Sequence, residues 1–474
     1  MPNKKQFFLF LGTYGTLRLF SYFFSPETPL HGAHPLNTAV AGVILLLTIY
    51  FLVKKDIRGW YIIAAEMILG GAGGFLAIAG ISLRTVLLVA SLTIYGLQKL
   101  KDCKKIIKEN KIFCFFVFLF FCFLGFSALR GYYLGHSPRL IIADLIPYLF
   151  FLYYFPLKEL LQKNLFPPQR DPARGGTIFK SLIFNLLLAA LIGNFIFIIL
   201  TFAGYSSGLL ALQDSYYHWF RDVANGKITE LGFNFYRIVL NEHLLLVPLL
   251  IVFIHRIIQN KKDYHLSFII YLLLITTLSI NLTRIYLVAL AAGLLFLFSK
   301  TNWKRWLAVT FISCFLFLIS FTTLHLIASR GQSLGWELFG LRLQSITAPK
   351  TEESSLSRLL LLPKIWGKIK TRPLLGNGLG DTVTVYSPIF KQEITTPHFD
   401  WGYLEVVAEL GILGLLAWLF LISYLLLSFI RFSPSFTASI ISLLAINLTS
   451  PALFHVLGVV WITFLLVLKN HKND

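Results

Sequence analysis

Residues 112–129 read IFCFFVFLFFCFLGFSAL, set between Lys111 and Arg130, and hold no charged side chain. At helical rise such a run crosses the hydrocarbon core of a bilayer, which takes about 20 residues. Similar runs recur from Phe7 near the N-terminus to Leu468, in a chain of 474 residues that is 56% hydrophobic and only 14% charged. Its mean hydropathy is +0.72, far above that of a soluble domain of ordinary composition. Lipid forbids unsatisfied backbone, so runs of this kind form helices. The expected fold is all-α: a polytopic transmembrane helix bundle of about 12–14 spans.

Spans are expected near 6–24, 36–53, 59–79, 82–98, 112–129, 139–156, 181–203, 239–255, 264–281, 283–299, 306–327, 403–429, 434–449 and 452–468. The division is then 1–327 for the N-terminal part of the bundle, 328–402 for one long polar loop containing short helices, and 403–474 for the C-terminal helices. Lys4 and Lys5 ahead of the run Phe7–Phe24 resemble a signal peptide, but no small-residue cleavage site follows, and an uncleaved first helix is expected.

The net charge of +20 does not point to nucleic acid, because the basic residues sit in short clusters between apolar runs and not along a face or tail. They follow the positive-inside rule. With the N-terminus inside, the inner connectors hold Lys54, Lys55 and Arg58, then basic clusters in 99–111, 158–180, 256–262 and 300–305. The short outer connectors hold only Arg84, Arg130, Arg139, Arg221, Lys227, Arg237 and Arg284. Both termini are therefore expected on the cytoplasmic side and the 328–402 loop on the extracytoplasmic side. Long loops translocate largely regardless of charge. This one carries Trp336, Phe339, Trp366 and Phe390 and an amphipathic stretch from Leu356 to Lys370, which argues for a packed cap with a helix near the membrane surface.

Of the four cysteines, Cys114, Cys122 and Cys314 lie inside apolar runs and Cys103 in a lysine-rich connector. No disulfide framework or metal spacing follows from them. Ionisable residues at the edge of apolar spans are costly and tend to face the bundle interior or water. On the outer side these are Arg139, Arg237, Glu242, Arg284, Glu405 and Glu409, with Arg358, His398 and Asp400 in the loop. Arg284 stands in Asn281-Leu282-Thr283-Arg284, where one helix ends and the next begins at once; for such an arginine, snorkelling to lipid phosphate is the plainer explanation. Arg358 opens the loop helix, with Ser354, Ser355 or Ser357 available as caps; a solvated surface arginine is the plainer explanation there. The run Arg372-Pro-Leu-Leu-Gly-Asn-Gly-Leu-Gly380 is not a dinucleotide fingerprint and reads as a tight turn. The loop closes with His398-Phe399-Asp400-Trp401-Gly402-Tyr403, in which Trp401 and Tyr403 suit an interfacial belt.

Taken in order, Arg284, Arg358, the run 372–380 and the segment His398–Gly414 with its Ala408-Glu409-Leu410-Gly411 resemble the O-antigen ligase and polymerase superfamily of bacterial membrane glycosyltransferases. The likeness covers roughly residues 180–430. It implies transfer of a glycan from a polyprenyl-diphosphate donor to an acceptor glycan or glycolipid at the outer face of the bacterial cytoplasmic membrane. One departure concerns the base: the family usually has Asn after its histidine and Tyr-Leu soon after. Here Phe399 follows His398, and alignment on Tyr403-Leu404 brings Asp400 into that slot. Both residues stand as candidates.

Outside the membrane the leaving group would be a lipid diphosphate, since nucleotide sugars are scarce there. Expelling it calls for charge stabilisation, which bidentate, permanently charged arginines supply. Arg284 and Arg358 are expected to bind the diphosphate with Arg139 or Arg237 as helpers, without metal or cofactor. A competing reading, a multi-span secondary transporter, would use Glu66 or Asp144 as a coupling carboxylate. The single long loop breaks the repeat symmetry usual in that class, and the glycines at 70–74 are explained by close helix packing.

Overall fold

The computed structural model describes residues 4–25, 34–102, 108, 111–162, 172–259, 264–298, 301–347, 353–387, 392–397, 399–430 and 432–470. Its helices are α1 (Lys4–Phe24), α2 (Pro35–Val53), α3 (Arg58–Leu69), α4 (Leu83–Lys99), α5 (Lys111–Tyr133), α6 (Pro138–Leu149), α7 (Tyr154–Gln162), α8 (Pro172–Ser207), α9 (Ser215–Asp222), α10 (Leu246–Ile258), α11 (Tyr264–Asn281) and α12 (Arg284–Phe298). They continue with α13 (Trp303–Ala328), α14 (Trp336–Thr347), α15 (Glu353–Thr371), α16 (Gly402–Ile430), α17 (Pro434–Ile446) and α18 (Val456–Asn470). Short antiparallel hairpins join β1 (Ala77–Ile78) to β2 (Ile81–Ser82), β3 (Lys227–Glu230) to β4 (Tyr236–Val239) and β5 (Val383–Ser387) to β6 (Gln392–Thr396).

Among the described residues, eight helical segments are long and apolar enough to cross a membrane, and His265–Asn281, Arg284–Phe298, Pro434–Ile446 and Val456–Leu468 are shorter apolar helices. The all-α polytopic bundle is therefore what the chain forms. The core lies along α10, α16, α17 and α18, where Ile254, Trp418, Leu443 and Val459 are fully buried. Peripheral α1, α2 and α13 instead expose Phe8, Leu46 and Phe311, the surface a bilayer would cover.

Two expected spans are interrupted. In place of a helix over 59–79, α3 stops at Leu69 and Gly71–Gly73 form a 3-10 turn leading into β1. Buried Asn37 clamps this re-entry, donating to the Phe75 carbonyl at 2.9 Å and accepting from the Ala77 amide at 3.0 Å. The run 139–156 becomes α6, a 3-10 turn over Phe150–Tyr153, and α7. Pro147, near the end of α6, has no N–H to extend the ladder. A third departure lies at 239–255, where β4 ends at Val239 and the turn Asn241–Leu245 precedes α10.

The most consequential interruption is in α16. At Gly411 the backbone takes φ 74° and ψ 178°, breaking the helix about 13 Å from its start at 1.5 Å per residue. A break within an apolar bundle strands amides and carbonyls that no water can satisfy. The glycine run supplies the partners. Asn377 N–H donates to the Ala408 carbonyl (2.7 Å) and Gly378 N–H to the Glu409 carbonyl (3.0 Å), while Ile412 N–H reaches the Pro373 carbonyl at 2.9 Å. Glycine is required because Gly376 has φ 68°, and a Cβ there or at Gly411 would run into the facing backbone. The run 372–380 makes the expected turn, and that turn is also a plug in the broken helix.

Candidate active site at the loop face

The end of the bundle that carries residues 328–402 is the loop face. Two groups of predicted residues gather there.

The first is built on the corner between α11 and α12. Leu282, with φ 42°, reverses the chain in two residues and makes Arg284 the first residue of α12. Arg237 on β4 braces this corner: its Nε donates to the Asn281 carbonyl at 2.9 Å and its Nη2 to Thr283 Oγ1 at 2.9 Å. Beneath, buried Asn281 donates through Nδ2 to His243 Nδ1 at 2.6 Å. Next to His243, Glu242 pairs with Arg18 of α1 at 3.1 Å. Arg237 and Arg284 are therefore on one corner.

The second group joins the loop helix to the head of α16. Leu361, Ile365 and Ile369 recur one turn apart on α15 and bury against Val383, Phe399 and Ala408, which realises the amphipathic stretch expected over 356–370. The packing brings Arg358 Nε to 3.7 Å from Asp400 Oδ2, a charge contact and not a hydrogen bond. Trp401 Nε1 donates to the Arg358 carbonyl at 3.0 Å, and Phe399 N–H donates to Glu405 Oε2 at 3.3 Å. Asp400 itself has φ 57°, and its side chain is 45% exposed against 32% for Arg358. Both remain reachable from the loop face. His398 lies outside the described residues.

Helix α17 links the groups. Gly293 of α12 packs on the Ala438 carbonyl, and Gly402 packs on Asn447 at the far end of α17. Tyr403 Oη donates to the Leu444 carbonyl at 2.9 Å. Arg284 and Asn447 each lie nine residues toward the loop face from the Gly293–Ala438 contact, about 13 Å in each antiparallel helix. Asn447, beside Gly402, thus stands at about the level of Arg284 along the bundle. Arg139 is exposed in the first turn of α6. Among the described residues no hydrogen bond or ion pair ties it to either group.

Glu66 and Asp144 are both engaged. Buried Glu66 accepts from Arg84 Nε at 3.1 Å, and Asp144 accepts from the Gly380 amide at 2.8 Å, pinning the plug to α6. The plug is also held by Lys368 Nζ on Asp381 (2.6 Å) and by the Ser127 carbonyl, which accepts from Leu379 N–H at 3.1 Å. These links, and the positioning role of Glu405, were absent from the sequence reading. The paired motifs 372–380 and 408–411 were the available signal.

A family model described as O-antigen ligase matches residues 269–419. The match begins in α11, takes in Arg284, Arg358, the plug and Asp400, and ends beyond the Gly411 break; α1–α10 lie outside it. It supports the resemblance to the O-antigen ligase and polymerase superfamily, and with it glycan transfer of that general kind by a multi-pass membrane protein. No curated protein matches the sequence.

Proposed function

We propose that the chain transfers a glycan from a polyprenyl-diphosphate donor to an acceptor sugar hydroxyl at the outer face of the bacterial cytoplasmic membrane, as an O-antigen ligase-like enzyme or a polysaccharide polymerase. The observation that carries this reading is the O-antigen ligase family match over residues 269–419, which takes in Arg284, Arg358 and Asp400; the charge contact of Arg358 with Asp400 at 3.7 Å supports it.

Arg284 and Arg358 bind the diphosphate oxygens, and Arg237 holds the corner that carries Arg284. The acceptor hydroxyl attacks the anomeric carbon while the bond from that carbon to the diphosphate oxygen breaks. The hydroxyl proton passes to Asp400 or His398, and the negative charge that develops on the departing diphosphate is taken up by the guanidinium groups. A single displacement of this kind inverts the anomeric carbon. Arginine supplies the charge, so the step is drawn without a metal or cofactor, and Arg139 is kept as a helper of lower rank. Lipid carriers, not nucleotides or nucleic acid, are the partners this surface suits.

The test is to incubate the purified protein with polyprenyl-diphosphate oligosaccharide and measure release of the lipid diphosphate. Release should persist in the presence of a chelator and fall by about 10²–10³-fold when Arg284 or Arg358 is replaced by lysine in a folded protein. Wild-type rates in both variants would overturn the assignment.

A further inference from the structure

Beneath the corner lies a cavity of about 200 Å³ bounded by α1, α3, α8, α10, α11, α18 and the turn Asn241–Leu245. Its wall is apolar over most of its extent, with Ile63, Leu187, Leu246, Leu274, Val460 and Phe464 among the contributors. A space lined this way does not hold water well, and left empty it deprives its lining of contact partners.

Two adjacent polar residues, Glu242 and His243, also line it, and their hydrogen bonds define what they can receive. His243 Nδ1 faces two donors, the Leu240 amide at 3.2 Å and Asn281 Nδ2 at 2.6 Å. The amide of Asn281 is oriented by its Oδ1, which accepts from Thr283 N–H at 3.2 Å. Nδ1 is therefore the acceptor, and the imidazole proton resides on Nε2. Nε2 is buried without a hydrogen-bond partner among the described residues, in a side chain only 2% exposed. Glu242 is neutralised by Arg18, whose guanidinium lies 4.2 Å from the Phe197 ring centroid and 4.5 Å from that of Tyr14. The polar end thus has no net charge. Among its lining residues His243 Nε2 and Tyr14 Oη are buried donors, and Glu242 Oε2 a buried acceptor, without a partner among the described residues. Arg18, whose Nε and Nη1 are also unpaired, is not part of the lining. This end suits a neutral acceptor oxygen better than an anionic head.

We propose that this cavity is a binding site for an acyl chain of a membrane phospholipid, with the ester carbonyl accepting from His243 Nε2–H. The site is separate from the diphosphate groups and rests on the apolar bundle alone, not on the glycan-transfer reading. Through His243 and Asn281 the bound chain buttresses the corner that carries Arg237 and Arg284.

The test uses the full-length protein in phosphatidylethanolamine vesicles doped with the same lipid bearing a diazirine in mid-chain. Photolysis should label peptides containing Leu187–Leu191 and Leu273–Leu274. In Ala190→Trp, which fills the cavity, that label should fall to background while label on the exposed Phe118 and Phe311 persists. His243→Phe, which keeps the ring but removes the donor, should weaken cavity labelling less than Ala190→Trp does. Equal cavity labelling in wild type and Ala190→Trp overturns the proposal. If Ala190→Trp does not fold, the wild-type protein decides: a polyprenyl-phosphate diazirine probe labelling the cavity peptides more strongly than the acyl probe overturns it, and the reverse supports it. Labelling is read without glycan transfer, so failure here leaves the transfer reading intact, and loss of transfer leaves this proposal intact.

Discussion

Arg84 is the second residue of α4, and Arg358, expected to open the loop helix, is the sixth residue of α15, which starts at Glu353; their surroundings are opposite. Arg84 is 3% exposed and spends its donors internally, on Glu66 Oε2 and on the carbonyls of Glu66 and Met67. Arg358 is ten times as open, and its nearest carboxylate is at 3.7 Å. An arginine that spends Nε and Nη2 on buried partners, as Arg84 does with only Nη1 unpaired, holds helices together. One left half-paired at a reachable surface can exchange its partner for an incoming phosphate. Residue type alone does not separate these roles; the completeness of the pairing does.

Substitutions can break or sharpen that contrast. The largest effect on transfer is expected from the base: Asp400→Asn or His398→Ala should slow lipid-diphosphate release by about 10²–10⁴-fold, and the more damaging of the two identifies the proton acceptor. Arg284→Lys and Arg358→Lys should each cost roughly 10²–10³-fold, in line with removing one donor that stabilises developing charge, while thermal unfolding of the purified protein is unchanged. Arg84→Lys should do the reverse. It leaves Glu66 buried with an incomplete partner, a change worth about 3–5 kcal/mol when a buried pair is broken, seen as a lowered unfolding midpoint and low yield. Gly376→Ala should also act through folding, because φ 68° and the facing Glu409 backbone leave no room for a methyl group; backbone strain alone costs about 1–3 kcal/mol. The smallest change is expected at Arg139, which is exposed, where alanine should alter release by less than about twofold. A loss as large as that of Arg284→Lys would restore Arg139 to the diphosphate site.

The all-α polytopic class was legible because lipid imposes one rule on every apolar run, and α5, α11 and α12 begin and end close to where hydropathy puts them. The interrupted spans were not. Gly70–Gly74 have nearly the composition of a tightly packed helix, and the chain that re-enters after them is fixed at Phe75 and Ala77 by the distant side chain of Asn37. Motif order singled out Arg284, Arg358 and Asp400 as candidates, and Arg284 also stands at a helix start. The partnership of 372–380 with Gly411 left only the two glycine-bearing motifs as a trace, since backbone pairing between a loop and a broken helix leaves no periodicity in either stretch of sequence. The β3–β4 hairpin that delivers Arg237 was missed because its strands are four residues each and lie in a connector.

The plug also bears on how the protein comes into being. Residues 372–380 precede α16 in the chain yet depend for their hydrogen bonds on Ala408 and Glu409 within it, and on Ser127 far upstream in α5. A ribosome delivers α5 early and α16 late, so the loop cannot reach its seat until the last quarter of the polypeptide has been inserted. Maturation of the Arg358 region is thereby coupled to completion of the bundle, and a truncated product ending before Gly402 would display its arginines in no fixed arrangement.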